Sequence, residues 1–454
     1  MGEQLLSVGL DVGTTTTQLI VSRLQVENRA SGFAVPKMEI TGREILYESP
    51  VHFTPLLGEN LVDGEKIRAL VTREYENAGI TRAQVDTGAI IITGETSRKE
   101  NARAVTEALA GFAGSFVAAT AGPDLESALA AKGAGAADFS EKTGKQVLHM
   151  DIGGGTSNLA LIENGHIVAT GCLNVGGRLL KFDPQGRVTY VSPVLDGLTD
   201  ICLGDRFDHS RVQALAETLV QVLEMAAGLR EPTHLLEQLT TKEAAGVCPR
   251  PAGETVISFS GGVADCIHTV RDPLAFGDIG PVLGQAIKKS RLCAGEYRLG
   301  THTIRATVIG AGCHSAQLSG STVFCQNMDL PVQNLPVAVL TEAEQADHAT
   351  IRRKLAQTEG EQAVLAMPGY PSPSYSQVSA LANAIAEGTA GRQIVVCLEQ
   401  DMAKALGQRL SLLRPDTACL CIDRLKPEAG SYLDIGCPVG PCLPVVIKTL
   451  ILSQ

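Results

Sequence analysis

The stretch LHMDIGGGTSNLALIENG, residues 148–165, sets an aspartate, three consecutive glycines and two hydroxyls between two apolar runs. Glycines let backbone N–H groups approach phosphate oxygens and form an anion-binding concavity, to which hydroxyls add donors. A carboxylate at a strand end can hold Mg2+, usually through water, because that ion keeps much of its hydration shell. The chemistry on offer is therefore binding of a nucleotide triphosphate together with its metal. A β-hairpin whose glycines only supply positive φ, or a glycine-rich bend at a strand edge, would use the same letters.

A second copy weighs against those plainer readings. When VGLDVGTTTTQLIV (8–21) is laid over LHMDIGGGTSNLAL (148–161), Asp11 falls on Asp151, Gly13 on Gly153 and Thr16 on Thr156. Thr17 then meets Ser157, and Gln18 meets Asn158. A turn needs no twin, so the duplication points to two related halves facing one another across a cleft. The expected phosphate cradle is Gly13, Thr14, Thr15 and Thr16 in one copy and Gly153, Gly154, Gly155 and Thr156 in the other. Asp11 and Asp151 are the expected metal ligands and catalytic carboxylates. Asp-Ile-Gly recurs at Asp278 and Asp434, but there it runs into proline and lacks the hydroxyls. The chain has no G-x-x-x-x-G-K-[ST], so it is not a P-loop protein.

Composition narrows the partners. The length of 454 residues is compatible with about three domains, and the 44% hydrophobic content supports a large core. Lys and Arg number 38 against 49 Asp and Glu, a net charge of −11, which is the wrong sign for a nucleic-acid backbone; 4% aromatics without Trp offer few stacking platforms. The N-terminus lacks a basic segment followed by a long apolar run, and no stretch approaches the roughly 18 apolar residues of a spanning helix, so a soluble cytoplasmic protein is expected. The first of the twelve cysteines is Cys172. Cys419, Cys421, Cys437 and Cys442 form one cluster, but C-x-C is too short for the usual zinc knuckle, and reduced, packed thiols are the expectation.

The elements around the hairpins must position them. AGPDLESALAAKGAGA (121–136) reads as a helix starting at Pro123, with small residues suited to close packing between the halves; an ordinary Ala-rich buried helix is the alternative. VISFSGGVADC (256–266) reads as a buried strand, a turn at Gly261 and Gly262, and a helix start. With the two hairpins, these segments resemble the superfamily containing actin, the heat-shock ATPase chaperones and sugar kinases. That resemblance implies an α/β fold in which two ribonuclease-H-like, actin-like ATPase domains flank a nucleotide cleft, followed by a C-terminal α/β region. It makes Gly261 and Gly262 the turn beside the adenosine, and VIGAGCHSAQLSG (308–320) the second connecting helix. Gly176 and Gly177 in NVGGRLL are expected near the nucleotide, a simple loop being the alternative. The heat-shock chaperones carry Glu before the connecting-helix proline, but here Gly122 stands there. Glu95, which follows the apolar strand in IIITGETS, is preferred to Asp124 or Glu126 as the residue placing the attacking water, against the plainer reading of an exposed loop acid.

LLSVGLDVGTTTTQLIVSRL, GAIIITGETSRKENAR, LESALAAKGAGA, CLNVGGRLL, RATVIGAG and LSGSTV, with NLPVAV and YLDIGCPVGPCLPVVIKTL near the end, are together similar to the ethanolamine ammonia-lyase reactivating factors. This resemblance implies an ATP- and Mg2+-dependent, chaperone-like ATPase whose partner is ethanolamine ammonia-lyase, acting by release of damaged cobalamin and exchange for intact adenosylcobalamin. It also implies association with an ethanolamine-utilization microcompartment. A small-molecule kinase and an actin-like filament protein share the fold and stand as alternatives. The expected division is 1–146, 147–322 and 323–454. In the last region EQAVLAMPG and RQIVVCLEQ read as strands, SQVSALANAIAEG as a helix and AMPGYPSPSY as a connector, while the terminal prolines break the chain into short strands. That region offers no chemistry of its own, and a partner contact is expected there.

Overall fold

The computed structural model describes residues 3–13, 16–28, 38–57, 61–92, 117–120, 123–241, 255–314, 316–320, 322–358, 362–428, 431–438 and 441–449. Thr14, Thr15 and Glu95 lie outside the described residues. In the first half, β1 (Glu3–Val12), β2 (Thr16–Asn28) and β3 (Met38–Glu48) form an antiparallel meander, and β4 (His52–Phe53) pairs with the start of β2. β5 (Thr87–Ile92) and β6 (Val117–Thr120) follow on the other side of β1 and parallel to it, giving the order β3-β2-β1-β5-β6. Between β4 and β5, helix α1 (Gly64–Ala78) is capped by the Asp63 side chain, which accepts from Lys66 N, and ends at Gly79 in the left-handed region. Its Ile67, Val71 and Tyr75 pack with Val8, Leu10, Leu19 and Ile90 to form the core of this half.

The second half repeats the plan. After α2 (Pro123–Gly133) and α3 (Ala136–Thr143), β7 (Gln146–Ile152), β8 (Ser157–Glu163) and β9 (His166–Leu173) form a meander. A small hairpin of β10 (Leu180–Phe182) and β11 (Val188–Val191) and the helices α4 (His209–Ala226) and α5 (His234–Leu239) intervene. Then β12 (Thr255–Ser260) joins β7 in parallel, followed by α6 (Asp265–His268), α7 (Gly280–Lys288) and β13 (Tyr297–Leu299), so that the order is β13-β12-β7-β8-β9. Strand for strand this is the arrangement of the first sheet. β5 and β7 read as nearly unbroken apolar runs because helices or partner sheets cover both faces. The helix expected over 121–136 stops at Gly133, since Gly135 takes φ +74 and restarts the chain as α3.

The halves are tied together by α2 and by α8 (Ala306–His314). Helix α2 lies on β7, β8 and β9, whereas α8 lies on β1, β2 and β5, and the two helices cross one another. Glycine makes that crossing possible. A Cβ on Gly133 would sit 1.9 Å from the Ala306 carbonyl oxygen, and one on Gly310 would sit 2.1 Å from that of Leu129.

The third sheet contains β14 (Ala316–Leu318), β15 (Phe324–Gln326), β16 (Val332–Val339), β17 (Val364–Met367), β18 (Ile394–Leu398), β19 (Cys419–Asp423), β20 (Ser431–Ile435) and β21 (Pro444–Thr449). β16 to β19 run parallel, connected by α9 (His348–Ala356), α10 (Tyr375–Gly388) and α11 (Ala403–Leu413), which bury one face; β20 and β21 cover part of the other. The connector 368–374 between β17 and α10 is irregular, as its prolines imply. β14, which precedes the 322/323 division drawn from sequence, pairs with β21. Val446 of β21 packs with Leu5, Leu24, Ile91 and Ala311, so this sheet is seated on the first half. The cysteines among the described residues are free thiols; Cys202, Cys325 and Cys437 are exposed and the Sγ atoms of buried Cys419 and Cys421 stand 3.9 Å apart.

Candidate functional site

The two copies of the sequence repeat fold into the same hairpin. The Gly13 N–H donates to the Thr16 carbonyl at 2.9 Å, and the Gly153 N–H donates to the Thr156 carbonyl at 2.9 Å. Asp11 lies opposite Gln18 in the register of β1 and β2, and Asp151 lies opposite Asn158 in that of β7 and β8. The hydroxyls one place nearer the turn serve the frame: Thr17 meets the Thr54 hydroxyl at 3.1 Å, Thr54 donates to the Gly13 carbonyl at 2.8 Å, and Ser157 donates to the Val175 carbonyl at 2.7 Å. Among the described residues, neither the Gly154 nor the Gly155 N–H donates a hydrogen bond, and a Cβ on Gly155 would meet nothing within 4 Å. The tip of the second hairpin thus offers open backbone donors, the property an anion cradle requires.

Gly176 and Gly177 brace this hairpin from behind. Both are buried, the Gly177 N–H donates to the Gly153 carbonyl at 3.0 Å, and the Arg178 N–H donates to that of Gly154 at 2.6 Å. A Cβ on Gly176 would lie 2.3 Å from the Gly154 oxygen, so only glycine permits this approach. Arg178 pairs with Asp278 at 3.3 Å, and Asp278 accepts from Gly280 N at the start of α7; this is the use the structure makes of that other Asp-Ile-Gly. Gly261 has φ +86 and faces the Ile152 carbonyl, where a Cβ would come within 2.3 Å, whereas Gly262 is exposed with nothing within 4 Å of a Cβ.

Asp151 is buried, and desolvation pushes its carboxyl up to about 6, while a hydrogen bond donated by the Ser260 hydroxyl holds it down in part. His149 stands behind Ser260, with Nε2 at 2.9 Å from the Ser260 hydroxyl and Nδ1 at 3.1 Å from that of Ser258. Because the Ser260 hydrogen goes to the carboxylate, Nε2 carries the imidazole proton and Ser258 donates to Nδ1. Burial drives the His149 imidazole down to about 3, so it is neutral at physiological pH. A depressed histidine contributes stability that is present above its ordinary value of 6.5 and lost as pH falls toward 3. Between pH 7 and 4.5 the wild type should lose on the order of 2 kcal/mol more than His149→Gln, read from denaturant midpoints; parallel curves would show that His149 is not buried neutral.

Residues 300–305 join the pieces. The Gln18 amide nitrogen donates to the Ile304 carbonyl at 3.2 Å, and Gly261 N donates to that of Thr303 at 3.0 Å. Thr301 N reaches the Ala134 carbonyl beyond the end of α2 at 3.2 Å, and Arg305 donates to the Ser49 carbonyl at 2.9 Å and pairs with Glu48. One short segment therefore links the first hairpin, the Gly261 turn against the second hairpin, and the end of a connecting helix. Asp124 lies at the start of α2 and accepts from Thr170 at 2.5 Å. Sequence reasoning aligned Gln18 with Asn158 but assigned them no role, and it passed over Thr54, His149 and Ser260; the polar residues inside the apolar runs LHMDI and ISFS were the available signal.

The donor set suits Mg2+. Among the described residues no three His, Cys, Asp or Glu side chains gather into a protein-only cage, but Mg2+ is usually held by one or two carboxylates with phosphate and water. Asp11 and Asp151 stand at corresponding strand ends, and the buried amide oxygens of Gln18 and Asn158 beside them lack hydrogen-bond partners among the described residues.

Two sheets of one ribonuclease-H-like strand order, each ending in an Asp-bearing glycine hairpin and bridged by crossing helices, define the actin-like ATPase fold. The chain belongs to the family described as ethanolamine utilisation protein EutA, whose model matches residues 3–453. It is 41% identical to the ethanolamine ammonia-lyase reactivase EutA of Salmonella typhimurium over 468 residues, and 41% identical to that of Escherichia coli over 471; each alignment covers 98% of both proteins. Among solved structures, the ethanolamine utilization protein EutJ from Carboxydothermus hydrogenoformans is 17% identical, with a TM-score of 0.33 over 67% of this chain and 88% of that one. No helix among the described residues is long and apolar enough to cross a membrane.

Proposed function

We propose that the chain hydrolyses ATP between its two halves and uses the cycle to reactivate ethanolamine ammonia-lyase, releasing damaged cobalamin so that intact adenosylcobalamin can enter. The observation that carries this reading is the pair of matched hairpins in a chain alignable end to end with curated reactivases. Gly13, Thr14, Thr15 and Thr16 cradle phosphate from one side and Gly153, Gly154, Gly155 and Thr156 from the other, while Gly176 and Gly177 hold the second hairpin in place and Gly261 and Gly262 form the turn that admits the adenosine. Asp11 and Asp151 hold Mg2+, which when bound offsets phosphate charge. Glu95 orients the attacking water; it follows by three residues the end of β5 at Ile92, which lies opposite Val12 at the end of β1.

An ATP-driven factor can act on a partner only if its nucleotide states differ in affinity for that partner. The first half carries the third sheet through the packing of Val446 on Leu5 and Leu24, so rotation of that half would move residues 323–454, the proposed partner-facing region. The place of action is the cytoplasm, in association with an ethanolamine-utilization microcompartment. The test uses ethanolamine ammonia-lyase inactivated with cyanocobalamin, supplied with ATP, Mg2+ and adenosylcobalamin. Deaminase activity should return with the wild type and stay at background with Asp151→Ala or with no addition. Equal recovery in all three arms would remove the reactivase reading, and a phosphorylated small molecule or an ATP-dependent polymer would redirect it to a kinase or a filament.

A further inference from the structure

We propose that Gln18 and Asn158 are a matched pair of metal-site ligands, each presenting a side-chain carbonyl oxygen to Mg2+ or to its bound water, one from each half. The inference rests on the nucleotide-cleft reading above and adds to it two neutral oxygens. Each residue lies directly opposite its hairpin aspartate, Gln18 facing Asp11 and Asn158 facing Asp151, and directly opposed residues of an antiparallel pair share a face of the sheet. Both are 3% exposed. In both, the amide oxygen is buried with no hydrogen-bond partner among the described residues.

A single orphaned acceptor could be an accident of packing. Here the same vacancy in hydrogen bonding occurs at corresponding positions of two separate sheets, with side chains of different length and different surroundings. Other buried side-chain oxygens among the described residues, such as Thr41 Oγ1 and Ser379 Oγ, also lack a partner; what singles out Gln18 and Asn158 is that their orphaned oxygens stand directly opposite the two hairpin aspartates, where a metal would satisfy them. For Gln18 the orientation is set from the other end, since its nitrogen is committed to the Ile304 carbonyl. An amide suits the position chemically. Mg2+ takes hard oxygen donors, and a carboxylate here would place a second negative charge beside each aspartate and the incoming phosphates, whereas an amide adds the oxygen without the charge.

The test measures ATP affinity by calorimetry with Mg2+ and with EDTA, for the wild type, Gln18→Leu, Asn158→Leu and Asp151→Ala, alongside metal-free denaturant midpoints. Both leucine variants should lose ~10-fold or more of the Mg2+-dependent gain in affinity, the scale on which groups supporting a metal act, with metal-free binding changed less than about twofold; the metal-free midpoint of Asn158→Leu should be equal or higher, because leucine removes an unsatisfied acceptor, whereas that of Gln18→Leu should fall slightly, because the hydrogen bond to the Ile304 carbonyl goes with it. Asn158→Asp, which keeps an oxygen but adds the charge, should keep most of the Mg2+-dependent gain while weakening metal-free ATP binding. If Mg2+ strengthens binding as much in the leucine variants as in the wild type while Asp151→Ala loses the effect, the amides are not ligands and the cleft stands. If Asn158→Leu loses metal-free stability in step with affinity, the amides are structural and the proposal falls. Should leucine prevent folding, Gln18→Ala and Asn158→Ala carry the same comparison. A wild type whose ATP affinity ignores Mg2+ would overturn the cleft reading and this proposal with it.

Discussion

Asp151→Ala should lower Mg2+-dependent ATP hydrolysis on the order of a hundredfold or more, the scale seen when one preorganised charge-stabilising group is removed, while the chain stays folded. Asp11→Ala should act in the same direction. The argument for separating function from folding lies in the surroundings of Asp151. Its carboxyl is buried and pushed up to about 6, with Ser260 as the neighbour that lowers it. A carboxyl raised above its ordinary 3.8 contributes stability that is fully present below that value and lost as pH rises through about 6. At pH 7.5 without metal, the ionised group therefore costs stability, and removing it should leave the unfolding midpoint unchanged or raised; at pH 4 the variant should hold no such advantage. Phosphate release and a pH series of denaturant midpoints measure both halves of the claim. Full hydrolysis by both alanine variants would remove Asp11 and Asp151 from the nucleotide site.

Gly310→Leu should destabilise the protein by about 3 kcal/mol or more, at the upper end of overpacking effects. The Cβ would arrive 2.1 Å from the Leu129 carbonyl oxygen, and a Cβ on the opposing Gly133 would lie 1.9 Å from the Ala306 oxygen. These obstacles are backbone atoms inside helices, so no rotamer change relieves them and α2 and α8 must separate. Since α2 lies on the second sheet and α8 on the first, both halves lose a covering helix at once. Gly295→Ala, where a Cβ meets nothing within 4 Å, is the control and should hold the wild-type midpoint. A Gly310→Leu protein unfolding cooperatively at the wild-type midpoint would show that the helices do not cross at this distance.

The hairpins were legible from the chain alone because their rules are local. Strand, aspartate, glycines, hydroxyls and strand fall within fourteen residues, and the duplicated spelling already set Asp11 against Asp151 and Gln18 against Asn158 before any register was seen. Apolar runs likewise announced β5, β7, β17 and β18, and helical periodicity announced α10, since burial of one face or of both is written into residue spacing. Spacing reports that a residue is buried, not what it is buried against. His149 finds Ser260 across 111 positions and Gln18 finds Ile304 across 286, and neither partner leaves a trace in the local pattern. The same holds for Gly176 and Gly177, whose letters read equally as a loop until the Gly154 carbonyl is seen against them, and for Ala316–Leu318, whose pairing with β21 depends on a strand far along the chain. Local chemistry wrote the parts of the proposed phosphate site into the sequence, whereas the neutral imidazole, the braced hairpin, the crossed helices and the two amide oxygens without a partner among the described residues exist only where packing brings distant backbone within reach.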